Sequence, residues 1–273
     1  MNKRFSVLIS KKIKKFNKII RIPGDKSCSI RALLFASQCI GISNIKNLLE
    51  SEDVFSAINA LRSLQVKIKL NKGVWKVYGN GLGSFINNKK VKIYVGNSGT
   101  TARLLIGLLS TSPGKFYLYG DKSMNKRDMS RVFIPLEKIG AFFRPKRKKT
   151  LPITVEGTTM PLAQSHVENI GSAQVKSCLL AAFLNTPGIS NLEEKKVSRN
   201  HTEIILKKIS AKIKIKKLNK GNLISITGQK NLNSFNYSVS SDPSSAAFLA
   251  ALTLLTPKAK LVINNCLCNK SRM

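Results

Sequence analysis

Gly96-Asn97-Ser98-Gly99-Thr100, running into the apolar segment Ala102–Leu109, is one of four matching stretches that decide the fold. The others are Asp25-Lys26-Ser27 into Ile30–Gln38, Gly171-Ser172-Ala173-Gln174 into Val175–Leu184, and Asp242-Pro243-Ser244-Ser245 into Ala246–Leu255. Each joins a small or polar opening to a long apolar helix. Lys26, Gly99, Ser172 and Ser244 mark equivalent positions, and they stand 73, 73 and 72 residues apart. So regular a period is the mark of an internal repeat.

A second helix follows each of the first three openings, over Glu52–Leu64, Lys126–Ile139 and Asn200–Ile209. These helices end alike: Leu61-x-x-Leu64-x-Val66, Leu136-x-x-Ile139-x-Ala141 and Leu206-x-x-Ile209-x-Ala211. The apolar spacing is helical up to that point and then alternates as in a strand, as in Val66-Lys67-Ile68-Lys69-Leu70. Short strands with turn signals are expected at Val74–Tyr78, Val91–Val95, Lys115–Tyr119, Ile153–Val155 and Leu223–Ile226. Each unit therefore reads as strand, helix, strand, helix, then strands. Three units cover about residues 22–240, and a fourth begins at Asp242.

Composition bounds the alternatives. A chain of 273 residues with 42% hydrophobic content can bury a sizeable core. No apolar run is long enough to span a bilayer. The basic segment from Met1 to Arg21 has its Ile and Val interrupted by Lys, and no apolar signal-peptide core follows; it reads as a cytoplasmic start. Five cysteines lack framework spacing, so Cys28 and Cys178 are expected as reduced, buried thiols. Cys266 and Cys268 form an isolated C-x-C, His166 and His201 are the two histidines, and no metal site is expected. The formal net charge is +34, which attracts polyanions. The Lys residues are nevertheless spread along the whole chain, aromatics are only 7%, and no stacking motif is present. A dedicated nucleic-acid role is thus the lesser reading, and steering of anionic metabolites the greater.

The helix openings suggest where such anions bind. Gly permits tight turns, and Ser, Thr, Asp and Asn satisfy free N–H groups at a helix start. A helix N-terminus attracts phosphate or carboxylate. Fixed cations accompany these starts: Lys26 and Arg31 in the first unit, Arg103 in the second, and Arg127 at the start of the second unit's second helix. Each opening alone is an ordinary cap; three related by rotation would converge on one basic pocket. Neither a Walker A loop nor a G-x-G-x-x-G turn between strand and helix is present.

The same residues carry a family resemblance. Pro23-Gly24-Asp25-Lys26-Ser27-Cys28-Ser29-Ile30-Arg31-Ala32-Leu33-Leu34 resembles the EPSP synthase (3-phosphoshikimate 1-carboxyvinyltransferase) signature P-G-D-K-S-I-S-H-R-A-L-L. Gly96-Asn97-Ser98-Gly99-Thr100-Thr101-Ala102-Arg103-Leu104-Leu105 is similar to its G-N-S-G-T-T-x-R-L-L, and Gly120-Asp121-Lys122-Ser123-Met124-x-Lys126-Arg127-x-Met129 to G-D-x-S-L-x-x-R-P-M. Ser172-Ala173-Gln174-Val175-Lys176-Ser177, Ser198-Arg199-Asn200-His201-Thr202-Glu203 and Asp242-Pro243-Ser244-Ser245-Ala246-Ala247-Phe248 resemble S-A-Q-V-K-S, S-R-D-H-T-E and D-P-S-S-A-A-F. The six matches are collinear.

The resemblance implies an α/β (α+β) fold: an EPSP synthase-like inverted two-domain fold of repeated βαβαββ units, with the second domain incomplete in this chain. Residues 1–21 are then an N-terminal strand of the second domain. Residues 22–240 form the first domain, and 241–273 a truncated return into the second. The implied reaction transfers the enolpyruvyl group of phosphoenolpyruvate to the 5-hydroxyl of shikimate 3-phosphate, releasing phosphate, in the shikimate pathway to aromatic amino acids. By resemblance, Lys26, Ser27, Arg31, Ser172, Gln174 and Ser198 hold shikimate 3-phosphate. Lys26, Gly99, Arg127 and Gln174 hold phosphoenolpyruvate. The family's catalytic Asp and Glu fall beyond Met273, which leaves Lys26 as the one candidate catalytic group here. No metal or organic cofactor is implied.

Two departures stand out. Ile30 replaces a polar residue before the arginine, and Asp128, in place of Pro, is expected to weaken Arg127. The leading expectation is an enzyme by descent that needs a complementing C-terminal polypeptide. The alternatives are an inactive or split-gene fragment that only binds shikimate 3-phosphate and, less favoured, a basic nucleic-acid-binding protein.

Overall fold

The computed structural model describes residues 13–269 and 271. The basic stretch 1–12 and the terminal residues Lys270, Arg272 and Met273, on which part of the N-terminal and C-terminal readings fall, lie outside the described residues.

β1 (Asn17–Arg21) precedes the first unit, which runs α1 (Lys26–Ala36), β2 (Ile40–Lys46), α2 (Glu52–Ser63), β3 (Lys67–Asn71) and β4 (Val74–Asn80). The second runs β5 (Asn87–Tyr94), α3 (Gly99–Ser110), β6 (Gly114–Tyr119), α4 (Ser130–Ile139), β7 (Phe142–Arg144) and β8 (Ile153–Gly157). The third runs β9 (Ser165–Glu168), α5 (Ala173–Phe183), β10 (Ile189–Glu194), α6 (His201–Lys208), β11 (Lys212–Lys217) and β12 (Asn222–Thr227). Then come β13 (Asn236–Ser238), α7 (Pro243–Leu255) and β14 (Lys260–Asn264).

Three four-stranded sheets result, ordered β13-β2-β4-β3, β5-β6-β8-β7 and β9-β10-β12-β11. In each, the first pair is parallel and the other two pairs are antiparallel. The second and third sheets are contiguous βαβαββ units. The first is not: its outer parallel strand is β13, which arrives after the third unit. The strand that precedes α1 in sequence, β1, pairs instead with β14 in a separate two-stranded parallel sheet. The repeat is thus closed by residues near 236–238 rather than by the chain just before Lys26.

The four first helices are capped by one device. Asp25, Ser98, Ser172 and Asp242 precede α1, α3, α5 and α7, and each side chain accepts a hydrogen bond from a backbone N–H of the first turn. α1, α3 and α5 are buried on nearly every side and form the centre of the core, whereas α2, α4 and α6 bury one face. α3 and α5 approach so closely that a Cβ on Gly107 would overlap the Cys178 carbonyl oxygen. Ile30 is fully buried in this core, which accounts for an apolar residue at that position.

The shared ending of the second helices has a structural cause. Gln65, Gly140 and Ser210 all take left-handed backbone, with φ of 64°, 112° and 64°. The next N–H, of Val66, Ala141 and Ala211, then reaches back to the carbonyls of Leu61, Leu136 and Leu206 at 3.0, 3.2 and 2.9 Å. This is a Schellman termination, with the hydrophobic residues of the motif packed around it.

α4 starts later than the sequence suggests. A single 3-10 turn spans Met124–Lys126, Arg127 is extended (φ −73°, ψ 133°), and the helix begins at Ser130. Asp128 explains the break: its carboxylate accepts from the Ser130 N–H (3.1 Å) and hydroxyl (2.6 Å), favouring a helix start there.

Candidate functional site

Ser172, Gln174 and Ser198 come together. With Gly171, Arg199 and Ser271 they line an open cleft of about 380 Å³ at the start of α5. The Ser198 hydroxyl is shielded from solvent and has no hydrogen-bond partner among the described residues, although its backbone is fixed on both sides. The Ser198 N–H donates to Glu194 Oε1 at 2.7 Å, and its carbonyl accepts from Lys176 Nζ at 3.3 Å. Ser271 accepts from the Asn200 N–H at 3.2 Å and so closes the rim.

Gly99, Arg127 and Gln174 meet at the start of α3. A Cβ on Gly99 would stand 2.9 Å from one Arg127 Nη and 3.0 Å from one Arg103 Nη. Arg103 donates to Gln174 Oε1 at 2.6 Å, and Gln174 Nε2 donates to the Thr100 hydroxyl at 3.1 Å. Arg127 donates to Asn97, whose amide donates in turn to Asp121 at 2.7 Å. Burial, with Arg127 and Arg131 close by, lowers the Arg103 pKa below the usual arginine range. Guanidiniums remain charged even so, and the first turn of α3 is strongly positive. The Asp128 carboxylate turns to Ser130, not to Arg127, and those bonds hold it below the usual carboxylate range. The expected weakening of Arg127 by Asp128 therefore has no contact behind it.

Arg31 lies beneath the cleft, almost fully buried. Its Nε donates to Thr202 Oγ1 (2.8 Å), one Nη to Ser177 Oγ (2.9 Å), and the other to the Ser27 carbonyl (3.2 Å). It thereby links α1, α5 and α6. Lys26 points instead to α2, where Asp53 Oδ2 is 2.7 Å from its Nζ. Asp53 and Ser56 share one face of α2, and Ser56 abuts Gly96 in the second unit's opening. α2 therefore bridges the Lys26 and Gly99 ends of the site.

Residues missed by the sequence reading are of two kinds. Arg199 belongs to a family motif but to no helix opening, and it lines the cleft. Asp53 and Glu194 act on site residues from outside the helix openings, and no spacing in the chain points to them; Thr202, which orders Arg31, stands in the same motif as Arg199. For a metal, one group among the described residues offers ligands: Asp25, Cys28 and His201, buried within 4.8 Å of one another. Asp25 Oδ1 already accepts from the Cys28 N–H at 2.7 Å. Burial, together with Asp25, pushes the Cys28 thiol up to about 12, so it is a protonated thiol rather than a thiolate.

The family model for EPSP synthase (3-phosphoshikimate 1-carboxyvinyltransferase) matches residues 10–273. A 3-phosphoshikimate 1-carboxyvinyltransferase from Zymomonas mobilis is 37% identical over 97% of this chain and 58% of its own length. One from Rhodospirillum rubrum is 39% identical over 89% of this chain and 55% of its own. A solved EPSP synthase structure from Acinetobacter baumannii superposes with a TM-score of 0.84 at 32% identity, covering 94% of this chain and 57% of that one. The chain thus spans less than three fifths of the length of these relatives.

Proposed function

We propose, from the premise that this chain belongs to the EPSP synthase family, that it supplies the substrate-binding first domain for enolpyruvyl transfer. In this reading the acceptor is the 5-hydroxyl of shikimate 3-phosphate and the donor is phosphoenolpyruvate. The observation that carries it is the cleft of Ser172, Gln174 and Ser198 beside the Arg103–Arg127 cluster at Gly99. Hydroxyls and helix-start N–H groups suit a phosphate monoester, and paired guanidiniums suit a carboxylate-phosphate.

Ser172 and Ser198 then take the phosphate of shikimate 3-phosphate, with Ser27 and Arg31 on its ring side. Gln174 sits between the two ligands. Gly99 and Arg127 receive phosphoenolpyruvate, and Lys26 leaves Asp53 to reach both anions. These cations offset the charge that builds up when two phosphorylated substrates meet. Proton transfer at the methylene and the hydroxyl needs acid–base groups, which we assign to the second domain. Residues 22–240 form the first domain in this account; β1 and the segment 241–273 belong to the second. In this reading the protein works in the cytoplasm. No helix among the described residues is long and apolar enough to cross a membrane.

α7 favours a complementing polypeptide. It buries only Ala246 and leaves Phe248, Leu254 and Leu255 at 80%, 87% and 82% exposure. We assign that face to the remainder of the second domain. A phosphate-release assay tests this: the chain alone turns over slowly or not at all, and adding the C-terminal part of a full-length relative as a separate polypeptide restores turnover. Full turnover by the chain alone contradicts the need for a complement. No turnover with the complement, despite binding of shikimate 3-phosphate, favours a chain that only binds.

A further inference from the structure

Lys176 is a cation inside a largely apolar, buried helix. Its side chain is 1% exposed, and its Nζ lies 3.1 Å from Glu194 Oε1 and 2.7 Å from Glu203 Oε1. These three groups come from α5, the end of β10 and the first turn of α6. Between Glu194 and α6 runs the 195–200 loop, which carries Ser198 and Arg199 into the cleft. Both carboxylates that flank this loop in sequence therefore converge on one ammonium. That ammonium is rooted in the same helix start that presents Ser172 and Gln174.

Stability gives a poor account of such a group. Removing three charges from water costs several kcal/mol for each ion, and apolar replacements of similar volume are often as stable or more so. The contacts to Ser198 give a better account. Glu194 accepts from the Ser198 N–H and Lys176 donates to the Ser198 carbonyl, so one residue of a largely exposed loop is pinned through its backbone on both sides. Its hydroxyl is thereby shielded from solvent with no hydrogen-bond partner among the described residues.

We propose that the buried Lys176–Glu194–Glu203 group is a positioning device that holds Ser198 for the anionic group of the ligand. This rests on the reading of the cleft as the shikimate 3-phosphate subsite. The three residues touch no ligand. They act through the Ser198 backbone and set its distance from Ser172 on the facing helix start.

The test replaces the whole group by apolar residues, as Lys176→Met with Glu194→Leu and Glu203→Leu, leaving no stranded charge. Amide hydrogen exchange and calorimetric titration with shikimate 3-phosphate are compared with the unmodified chain. The expected result is a folded protein in which exchange accelerates within 195–200 and not in α5, and in which affinity falls about tenfold, the scale of one lost charge-assisted hydrogen bond. Ser198→Ala lowers affinity similarly. Adding it to the triple variant lowers affinity no further, because both act on one contact. Glu194→Gln, which can still accept from the Ser198 N–H, keeps the loop protected. If the triple variant does not fold, Glu194→Leu alone carries the same predictions. Unchanged exchange in 195–200, or additive losses with Ser198→Ala, would overturn the proposal. If the unmodified chain does not bind shikimate 3-phosphate, the reading of the cleft fails instead, and the exchange comparison still decides whether the group positions the loop.

Discussion

At Gly99 the space for a side chain is already taken by the ends of two guanidiniums, 2.9 and 3.0 Å from where a Cβ would stand. Flexible arginine tips can move aside, and alanine suits a first helical turn better than glycine does. Gly99→Ala should therefore leave stability unchanged or raise it by up to about 1 kcal/mol, while phosphoenolpyruvate binding is lost. Denaturant unfolding and ligand titration of the same variant check both halves. Glu203 gives a pH prediction. Burial raises its carboxyl above the usual range, against the pull of Lys176. A raised acid contributes stability that is full below its unfolded pKa and is lost as pH rises through the folded value. Glu203→Gln removes that loss, so the variant should gain on the parent as pH climbs from the acid side; urea titrations at several pH values measure the difference. At this scale the sequence was legible where a residue sits in a helix opening, as with Ser172 and Gln174. It misled at Asp128, because the Ser130 hydroxyl that engages the carboxylate depends on where α4 begins. It was silent on Asp53, whose pairing with Lys26 joins two helices that only the fold brings together.

Among elements, the repeated ending of α2, α4 and α6 was visible as a pattern of Leu, Ile, Val and Ala, but its cause lay in the residue between them. Gly140 meets the left-handed requirement without strain, whereas Gln65 and Ser210 do not. Gln65 is exposed, and Gln65→Gly should stabilise the protein by about 0.5–1 kcal/mol, read as a shift of the urea midpoint at unchanged slope. A second repeat went unread. Gly79, Gly157 and Gly228, within one residue of the ends of β4, β8 and β12, lie under the C-terminal ends of α1, α3 and α5. A Cβ there would overlap the carbonyl oxygens of Cys39, Ser112 and Thr186 respectively. Gly157→Ala forces backbone apart and should cost about 2–3 kcal/mol, visible as a lowered thermal midpoint. These glycines sit at turn-like positions in the sequence, so packing and turn roles are not separable without the sheet.

For the molecule as a whole, the period of about 73 residues announced three equal units, and three sheets of equal strand order follow it. It did not show that the first sheet borrows β13, because a three-residue strand carries too little alternation to declare itself. Nor did the period show that β1 pairs with β14; that residues 1–21 and 241–273 share a domain is what the family resemblance implies. Both follow from topology: the strand next to α1 in sequence is drawn to the segment after α7, and β13 fills the place it vacates. The result is a three-unit body with positive helix starts at α1, α3 and α5, in a chain whose formal net charge of +34 attracts anions in general. Charge alone would attract DNA as well as a metabolite; in the proposed reading the cleft makes the difference. The deciding measurement is a calorimetric titration of shikimate 3-phosphate into the chain at physiological salt, repeated with Ser198→Ala. The account predicts saturable one-to-one binding that Ser198→Ala weakens about tenfold. Absence of binding, or equal affinity in the variant, would contradict it.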